Sequence, residues 1–521
     1  MAAGAGPPPA AWGWPHWLAA LLALALIGAG LWPLLQATRG LAVERTEIGG
    51  VPVTTFVDPA RMPAPVVVIG HGFAGSQQLM LPFALSLARA GYLAVTFDFP
   101  GHGRHRAPLR GELGSPERVA SLLTTLTSVA DQARRLPGSD GRLALLGHSM
   151  AADIQVRYAL AHPQVAALIA VSPYLSQTPD ASGPANLLLI YGALEPALLL
   201  DQGRAAVAAV TADLTPEAVE PAVTYGEPAD GSARRLVIVP GVEHISVLYS
   251  GGSLAAARAW LDDLFARPGN GPLDLRGPWL GLYFLGVGLL AWPLSRLLPV
   301  AAWPPLGAAD GRLGRGRFAL LALLPPLLTP LLLRPLPTDF LGIIIGDYLA
   351  LHFALYGALT WAGLWLLGQR PRLTDTRWWA LVLGILLVGA FTTLALLLPA
   401  DRFIASFLPG PQRLLTVLVL FAGSLLWTSA DEWLTRGPRP PRLGYPLTKL
   451  LFLASLLLAV VLDLNQLFFL VIIIPAILLL FLLFGLFSRW LYRRSGHPGL
   501  AAVTNAYAFA VAVAVSFPLS A

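Results

Sequence analysis

Nearly all of the second half of this sequence is apolar, and that limits its fold more than any single motif does. From Pro272 onward there are eight apolar segments, at about 277–298, 318–334, 341–367, 378–398, 412–430, 446–463, 466–487 and 499–518. A helix of about 20 such residues crosses the roughly 30 Å hydrocarbon core of a bilayer. A water-soluble helix needs only one apolar face, so uninterrupted runs in this number point to a membrane domain over 272–521. Composition agrees: 55% of the 521 residues are hydrophobic and 12% charged, against about 25% charged in an ordinary soluble protein. A further charge-free stretch runs from Trp17 to Leu35. It exceeds a signal-peptide core of about 7–15 residues and lacks a basic region before it, so 17–36 reads as an uncleaved anchor. Cleavage after Gln36-Ala37 is the alternative. The small, Pro-rich residues 1–16 are expected to be disordered.

Charge fixes an expected orientation. The net charge of +6 is uneven: residues 40–268 hold 16 Arg and 20 Asp or Glu, whereas 269–521 hold 18 Lys or Arg and 9 Asp or Glu. The basic excess belongs to the apolar half, so the high isoelectric point does not indicate nucleic-acid binding. Within that half, alternate loops carry the charge. Arg312, Arg315 and Arg317 form one group; Arg370, Arg372 and Arg377 the next; then Arg436, Arg439, Arg442 and Lys449; then Arg489, Arg493 and Arg494. The intervening loops hold only Arg334, Arg402 and Arg413. Basic loops stay in the cytoplasm. Residues 40–268 are therefore expected outside it, with the N-terminus inside, in a multi-pass membrane protein. A slipped count through 399–413 would reverse only the last few helices.

Residues 40–268 have a different texture. Short apolar runs at Pro65–Gly70, Tyr92–Asp98, Arg142–His148, Val165–Ser172, Asn186–Tyr191 and Arg235–Val239 alternate with amphipathic stretches near Ser76–Ala90, Pro116–Leu136, Met150–His162, Gln202–Asp213 and Ser253–Ala266. That alternation predicts an α/β domain with a parallel sheet wound by helices on both faces. Val43–Ile48 and Val51–Val57 flank Gly49-Gly50 and predict an opening hairpin. The chain contains no Cys, which excludes a disulfide scaffold, thiolate zinc sites, iron–sulfur clusters and a cysteine nucleophile.

The chemistry-bearing signal is Gly147-His148-Ser149-Met150-Ala151, directly after a predicted strand and opening a helix. A serine there sits on a sharp turn with its hydroxyl exposed at the carboxyl edge of the sheet, and small residues two positions either side let helix and strand approach. Ala151 stands where glycine is usual in Gly-x-Ser-x-Gly. His71-Gly72-Phe73 follows another strand, where the backbone N–H of Phe73 can pair with that of Met150 as an oxyanion hole. Glu195, in Tyr191-Gly192-Ala193-Leu194-Glu195, and His244, in Pro240-Gly241-Val242-Glu243-His244, follow two later strands.

With these motifs in this order, together with Asp98-Phe99-Pro100-Gly101-His102-Gly103, residues 40–268 resemble the α/β-hydrolase fold. The resemblance implies a serine hydrolase of the esterase and lipase kind, with Ser149 as nucleophile, His244 as general base and acid, and Glu195 orienting the imidazole. It implies neither cofactor nor metal. Asp201, six residues beyond Glu195, is the alternative acid. His148 reads as structural, His71 as a shaping residue of the oxyanion turn, and His102 and His105 as surface-loop residues. No cap domain fits in the short interval between Ser172 and Asn186, although 197–234 has room for a small lid. An open site on a membrane protein favours an ester with an acyl chain, a lipid among the candidates, as substrate, and the bilayer as surroundings. An acyltransferase would share the same triad, and a transporter or receptor with a non-catalytic hydrolase-like domain is the contrasting class.

Ionisable residues inside apolar segments need a reason. Asp347 and His352 stand in one segment, five residues apart, so they need not bond to each other; an interhelical polar contact and a transport site are both open. Asp431-Glu432 and Asp463 lie near segment ends, where interfacial solvation accounts for them.

Overall fold

A computed structural model describes residues 12–521, apart from 113, 178, 211–213, 270, 309–312 and 372. Most of the expected disordered tail, Asp213, Arg312 and Arg372 lie outside the described residues. In chain order the elements are α1 (Trp14–Gln36), β1 (Ala42–Ile48), β2 (Val51–Val57), β3 (Ala64–Gly70), α2 (Leu81–Arg89), β4 (Leu93–Phe97), α3 (Pro116–Ala133), β5 (Ser139–His148), α4 (Met150–Ala161), β6 (Val165–Val171), β7 (Leu187–Gly192), α5 (Ala197–Ala208), β8 (Thr224–Tyr225), β9 (Arg234–Val239) and α6 (Gly251–Phe265). Then come α7 (Arg276–Ser295), α8 (Arg315–Leu333), α9 (Gly346–Leu366), α10 (Trp378–Phe391), α11 (Leu398–Phe403), α12 (Leu414–Thr435), α13 (Gly444–Leu462), α14 (Leu464–Ser495) and α15 (Pro498–Ser516).

The strands form one sheet in the order β1-β2-β4-β3-β5-β6-β7-β9-β8. The run from β4 to β9 is parallel, and β1, β2 and β8 pair antiparallel at the edges. Gly49 and Gly50, both at positive φ, make the tight turn that sets Ile48 opposite Val51. The central strands are apolar at nearly every position because both faces are covered. Val66, Val68, Leu143 and Leu145 pack on one face with Leu122 and Leu126 of α3 and Ile154 of α4. Val67, Ile69, Ala144 and Leu146 pack on the other with Phe83 of α2 and Trp260 and Leu261 of α6. This is the doubly wound α/β architecture that the alternation predicts. One helix starts earlier than expected, at Ala197, and the two-residue strand β8 carries no signal of its own in the sequence.

The chain divides into two compact units. One comprises Ala29–Leu282 with Ala400–Ser406 and Pro518–Ala521; the other comprises Tyr283–Pro399 and Phe407–Phe517 with the N-terminal residues up to Gly28. The boundaries expected from the sequence, at 36–40 and 268–272, leave 400–406 and 518–521 with the helices; here both pieces hydrogen-bond to loops of the sheet unit.

Each of the eight expected apolar segments is helical. Among the described residues, eight helices are long and apolar enough to cross a membrane: α1, α7, α8, α9, the continuous helix 378–403, α12, α13 and α15. α14 is a 32-residue apolar helix as well. His352 of α9 bonds Tyr348 Oη through Nδ1 at 3.2 Å and Ser455 Oγ of α13 through Nε2 at 3.1 Å, which makes it an interhelical contact. Asp347 instead accepts the backbone N–H groups of Leu341 and Ile343. Asp431 and Glu432 are not held by interfacial solvent: both are buried, Asp431 pairs with Lys449, and Glu432 bonds Arg436 and Ser488.

Candidate active site

Ser149 ends β5 and opens α4 with φ 52° and ψ −113°. No β-carbon-bearing residue adopts that conformation without strain, and the surrounding packing holds it. A Cβ on Gly147 would lie 2.7 Å from the Ala152 nitrogen, so only glycine lets helix and strand approach this closely. Ala151 is accommodated from the other side: a Cβ on Gly70 would lie 2.8 Å from that of Ala151, and Gly70 has none. The departure from Gly-x-Ser-x-Gly is thus matched by a glycine on the neighbouring strand.

The loops after β5, β7 and β9 bring Ser149, Glu195 and His244 together. His244 Nε2 lies 3.0 Å from Ser149 Oγ, and His244 Nδ1 lies 2.9 Å from Glu195 Oε2. The Glu195 side chain is fully buried, while that of His244 is 33% exposed. The other carboxylate oxygen of Glu195 accepts the Ser172 hydroxyl at 2.5 Å and the Gly192 N–H at 2.8 Å. Burial pushes the Glu195 carboxyl upward, but the bonds from His244, Ser172 and Gly192 outweigh it and hold the group below the ordinary carboxylate range. An ionised Glu195 keeps the proton of His244 on Nδ1, which leaves Nε2 as the acceptor facing Ser149. Asp201 is exposed on α5, away from this chain of bonds.

Phe73 and Met150 stand on the two turns expected to carry the oxyanion donors. Met150 is the first residue of α4, where backbone N–H groups have no acceptor within the helix. The turn carrying Phe73 lies against the serine: a Cβ on Gly72 would sit 3.1 Å from Ser149 Cβ and 2.7 Å from His148 Nδ1. The Gly72 carbonyl bonds His71 Nδ1 at 2.8 Å and accepts the Gly75 N–H at 3.1 Å. In a trans peptide the next N–H, that of Phe73, points the opposite way.

Four further histidines have defined places around the site. His71 is wholly buried; its Nε2 accepts the Phe99 N–H, so its Nδ1 carries the proton that Gly72 receives. Burial lowers its pKa, against the attraction of Asp98. His148 donates Nε2–H to the His244 carbonyl at 2.9 Å, and burial beside His244 pushes its pKa down to about 3. It therefore steadies the His244 loop as a neutral ring. His102 and His105 are buried rather than on the surface, and the His102 ring packs against those of His71 and Phe73. Ser172 and His148 were not legible as site residues, since their partners come from other strands. Among the described residues, no group of three or more His, Asp or Glu is arranged to hold a metal ion.

Residues 61–213 match the family described as serine aminopeptidase, S33. Solved structures similar to the chain include a protein described as a predicted CIB-like hydrolase from Thermoplasma acidophilum, 16% identical, covering 43% of this chain and 100% of that one at a TM-score of 0.34. A bacterial membrane phospholipase A is 16% identical, over 47% of this chain and 93% of that one, at 0.32. Est1E from Butyrivibrio proteoclasticus is 14% identical, over 43% and 99%, also at 0.32. No curated protein sequence matches the chain. With its sheet order, its strained serine turn and this family match, the region from β1 to α6 is an α/β-hydrolase domain on a chain whose remainder is built of apolar helices.

Proposed function

We propose that this protein is a membrane-embedded serine hydrolase that cleaves carboxylic esters with an apolar acyl chain. The observation that carries the reading is the continuous line Ser149 Oγ, His244, Glu195 at 3.0 and 2.9 Å. Ser149 Oγ attacks the acyl carbonyl carbon while His244 Nε2 takes its proton, and the backbone N–H groups of Phe73 and Met150 face the oxyanion. The C–O bond to the alcohol then breaks and His244 returns the proton to the leaving oxygen. Water attacks the acyl-enzyme by the same route, releasing the acid and restoring the Ser149 hydroxyl.

Support for an apolar substrate comes from the rim. Tyr174, Leu194, Leu198 and Ile245 are 58%, 67%, 61% and 45% exposed, and they stand on the loops or helix starts that follow β6, β7 and β9, beside Glu195 and His244. Large apolar side chains left exposed on the connections around Glu195 and His244 favour an apolar partner. The alternating basic loops favour an extracytoplasmic hydrolase domain over 40–268, an anchor at 17–36 and a transmembrane domain over 272–521.

The test is hydrolysis of nitrophenyl acyl esters of increasing chain length by the detergent-purified full chain, beside Ser149→Ala. Turnover lost by at least about 10³-fold in the variant, with an optimum at medium or long chains, is the expected result. Equal rates in both proteins, with no fluorophosphonate labelling of Ser149, would overturn it.

A further inference from the structure

The turn that carries Phe73 continues into Ser76, Gln77 and Gln78, three polar residues that are all buried. Buried polar groups require partners, and here the partners divide into two sets. Gln77 looks inward: its backbone N–H and its side-chain amide donate to the two oxygens of Asp98, at 2.8 and 3.1 Å. Asp98 also accepts the Arg104 N–H at 3.0 Å, and a Cβ on Gly103 would collide with its carboxylate.

Ser76 and Gln78 look instead to residues more than 300 positions later. The Ser406 N–H donates to Ser76 Oγ at 2.9 Å, and the Ser406 hydroxyl donates to Gln78 Oε1 at 3.1 Å. The other end of the same amide, Gln78 Nε2, donates to the Asp401 carbonyl at 3.3 Å. Arg104 closes the circuit, with Nη2 at 2.6 Å from Asp401 Oδ2. A ring of bonds thus runs Gln77, Asp98, Arg104, Asp401, Gln78, and the turn bearing Phe73 hangs from it. Arg276, fixed by a two-point pair with Asp274, also reaches the Phe403 carbonyl at 3.3 Å.

The helix delivering these residues changes its winding just before them. Between α10 and α11, Thr392–Leu397 is a π-helical segment. Such a segment accommodates an extra residue and turns everything after it by roughly 100° relative to an unbroken α-helix. The direction in which Asp401 leaves the helix depends on it.

We propose that residues 400–406, the end of the helix 378–403 and the three residues after it, are positioning residues of the active site. Asp401 paired with Arg104, and Ser406 bonded to Ser76 and Gln78, hold the turn that aims the Phe73 N–H. This rests on the serine-hydrolase reading above and extends it: the hydrolase is incomplete without a segment that the helical half of the sequence supplies. A shift of about 1 Å in such a turn costs on the order of 10²-fold in rate, because oxyanion donors act only in correct alignment.

The experiment compares the full chain with Arg104→Ala, Asp401→Ala, the double variant, Asp401→Glu and Ser76→Ala. Arg106→Ala serves as the control, since it removes an 85%-exposed arginine from the same loop. Nitrophenyl ester kinetics are read as kcat per Ser149 labelled to completion with fluorophosphonate, beside KM. We expect kcat to fall about 10- to 100-fold in each of the two single alanine variants of the ion pair, with KM within about 2-fold. The double variant should fall no further than either, Asp401→Glu should recover part of the loss, and Arg106→Ala should match the unmodified chain. Ser76→Ala, a small change that keeps the ion pair, should lower kcat about 3- to 10-fold on the same argument. The inference is overturned if kcat per labelled site stays within about 2-fold of the unmodified chain in all these variants. It is equally overturned if every loss is accounted for by fewer labelled sites, which is what a purely structural role gives. An unmodified chain that neither turns over nor labels would defeat the hydrolase reading itself, a separate result.

Discussion

Both units of the molecule bury charge, and they use it differently. In the sheet unit Glu195 and its neighbours stand at the carboxyl ends of three strands, and their bonds lead one way, through His244 to Ser149. The line ends where solvent enters: the His244 side chain is 33% exposed while that of Glu195 is sealed. In the helical unit Asp431 pairs with Lys449, and Glu432, Arg436 and Ser488 bond one another, with the Lys449 ammonium over the Tyr445 ring and the Arg436 guanidinium over Tyr445 and Tyr492. Those bonds close on themselves, and the Asp431 and Lys449 side chains are only 5% and 10% exposed. On the serine-hydrolase reading, a buried carboxylate serves chemistry when its hydrogen bonds lead to a side chain that a substrate can reach. The same burial, closed into a cluster, is joinery between helices.

That contrast can be broken by substitution. Glu195→Gln keeps the shape but supplies the wrong partner to His244 Nδ1, so kcat for nitrophenyl esters should drop about 10³- to 10⁴-fold with little change in melting temperature. A drop under about 10-fold would remove Glu195 from its role. Asp431→Ala should do the reverse. Leaving Lys449 buried without its carboxylate costs about 3–5 kcal/mol of stability, read as earlier thermal unfolding, while kcat per labelled Ser149 is unchanged. Lost turnover at unchanged stability would erase the distinction between the two clusters.

The smallest effect sharpens the comparison from within the sheet unit. An unfolded imidazole titrates near 6.5, whereas folded His148 stays neutral down to about 3. Its folded-state pKa is depressed, so its contribution to stability is complete above pH 6.5 and is lost as pH falls toward 3. The unfolding temperature of the full chain should therefore be lower at pH 5 than at pH 7, and His148→Asn should narrow that difference. Equal pH dependence in the two proteins would count against a buried neutral His148.

Much of the sheet unit was legible because its signals are local. Val66–Ile69 and Leu143–Leu146 are apolar at consecutive positions since both faces are covered, and the small residues Gly147 and Ala151 flank the serine within five positions. Glu195 and His244 could be picked out because each follows a strand. What escaped depends on residues far apart in sequence. Asp431 looks interfacial until Lys449 of another helix is placed beside it, and Ser172 is an ordinary strand-end serine until Glu195 approaches. His102 and His105 lie in a polar, glycine-rich stretch that resembles a surface loop, and pieces such as 518–521 cover it. Asp401 and Ser406 sit in a segment whose apolar pattern simply stops near 398.

Residues 518–521 carry one more consequence, in the order of events during synthesis. Leu519 accepts the Leu109 N–H and donates to the Gly101 carbonyl, and the Ala521 N–H donates to the Leu109 carbonyl, so the loop 101–109 gains its pairing partner from about 400 residues downstream. At ~5–20 residues per second a ribosome needs roughly 20 to 80 s to travel that distance. Throughout that interval the strands of the sheet have already been translated, and the loop 101–109 is without the segment it pairs with. The loop 101–109 is thus completed by a segment made long after the strands around it.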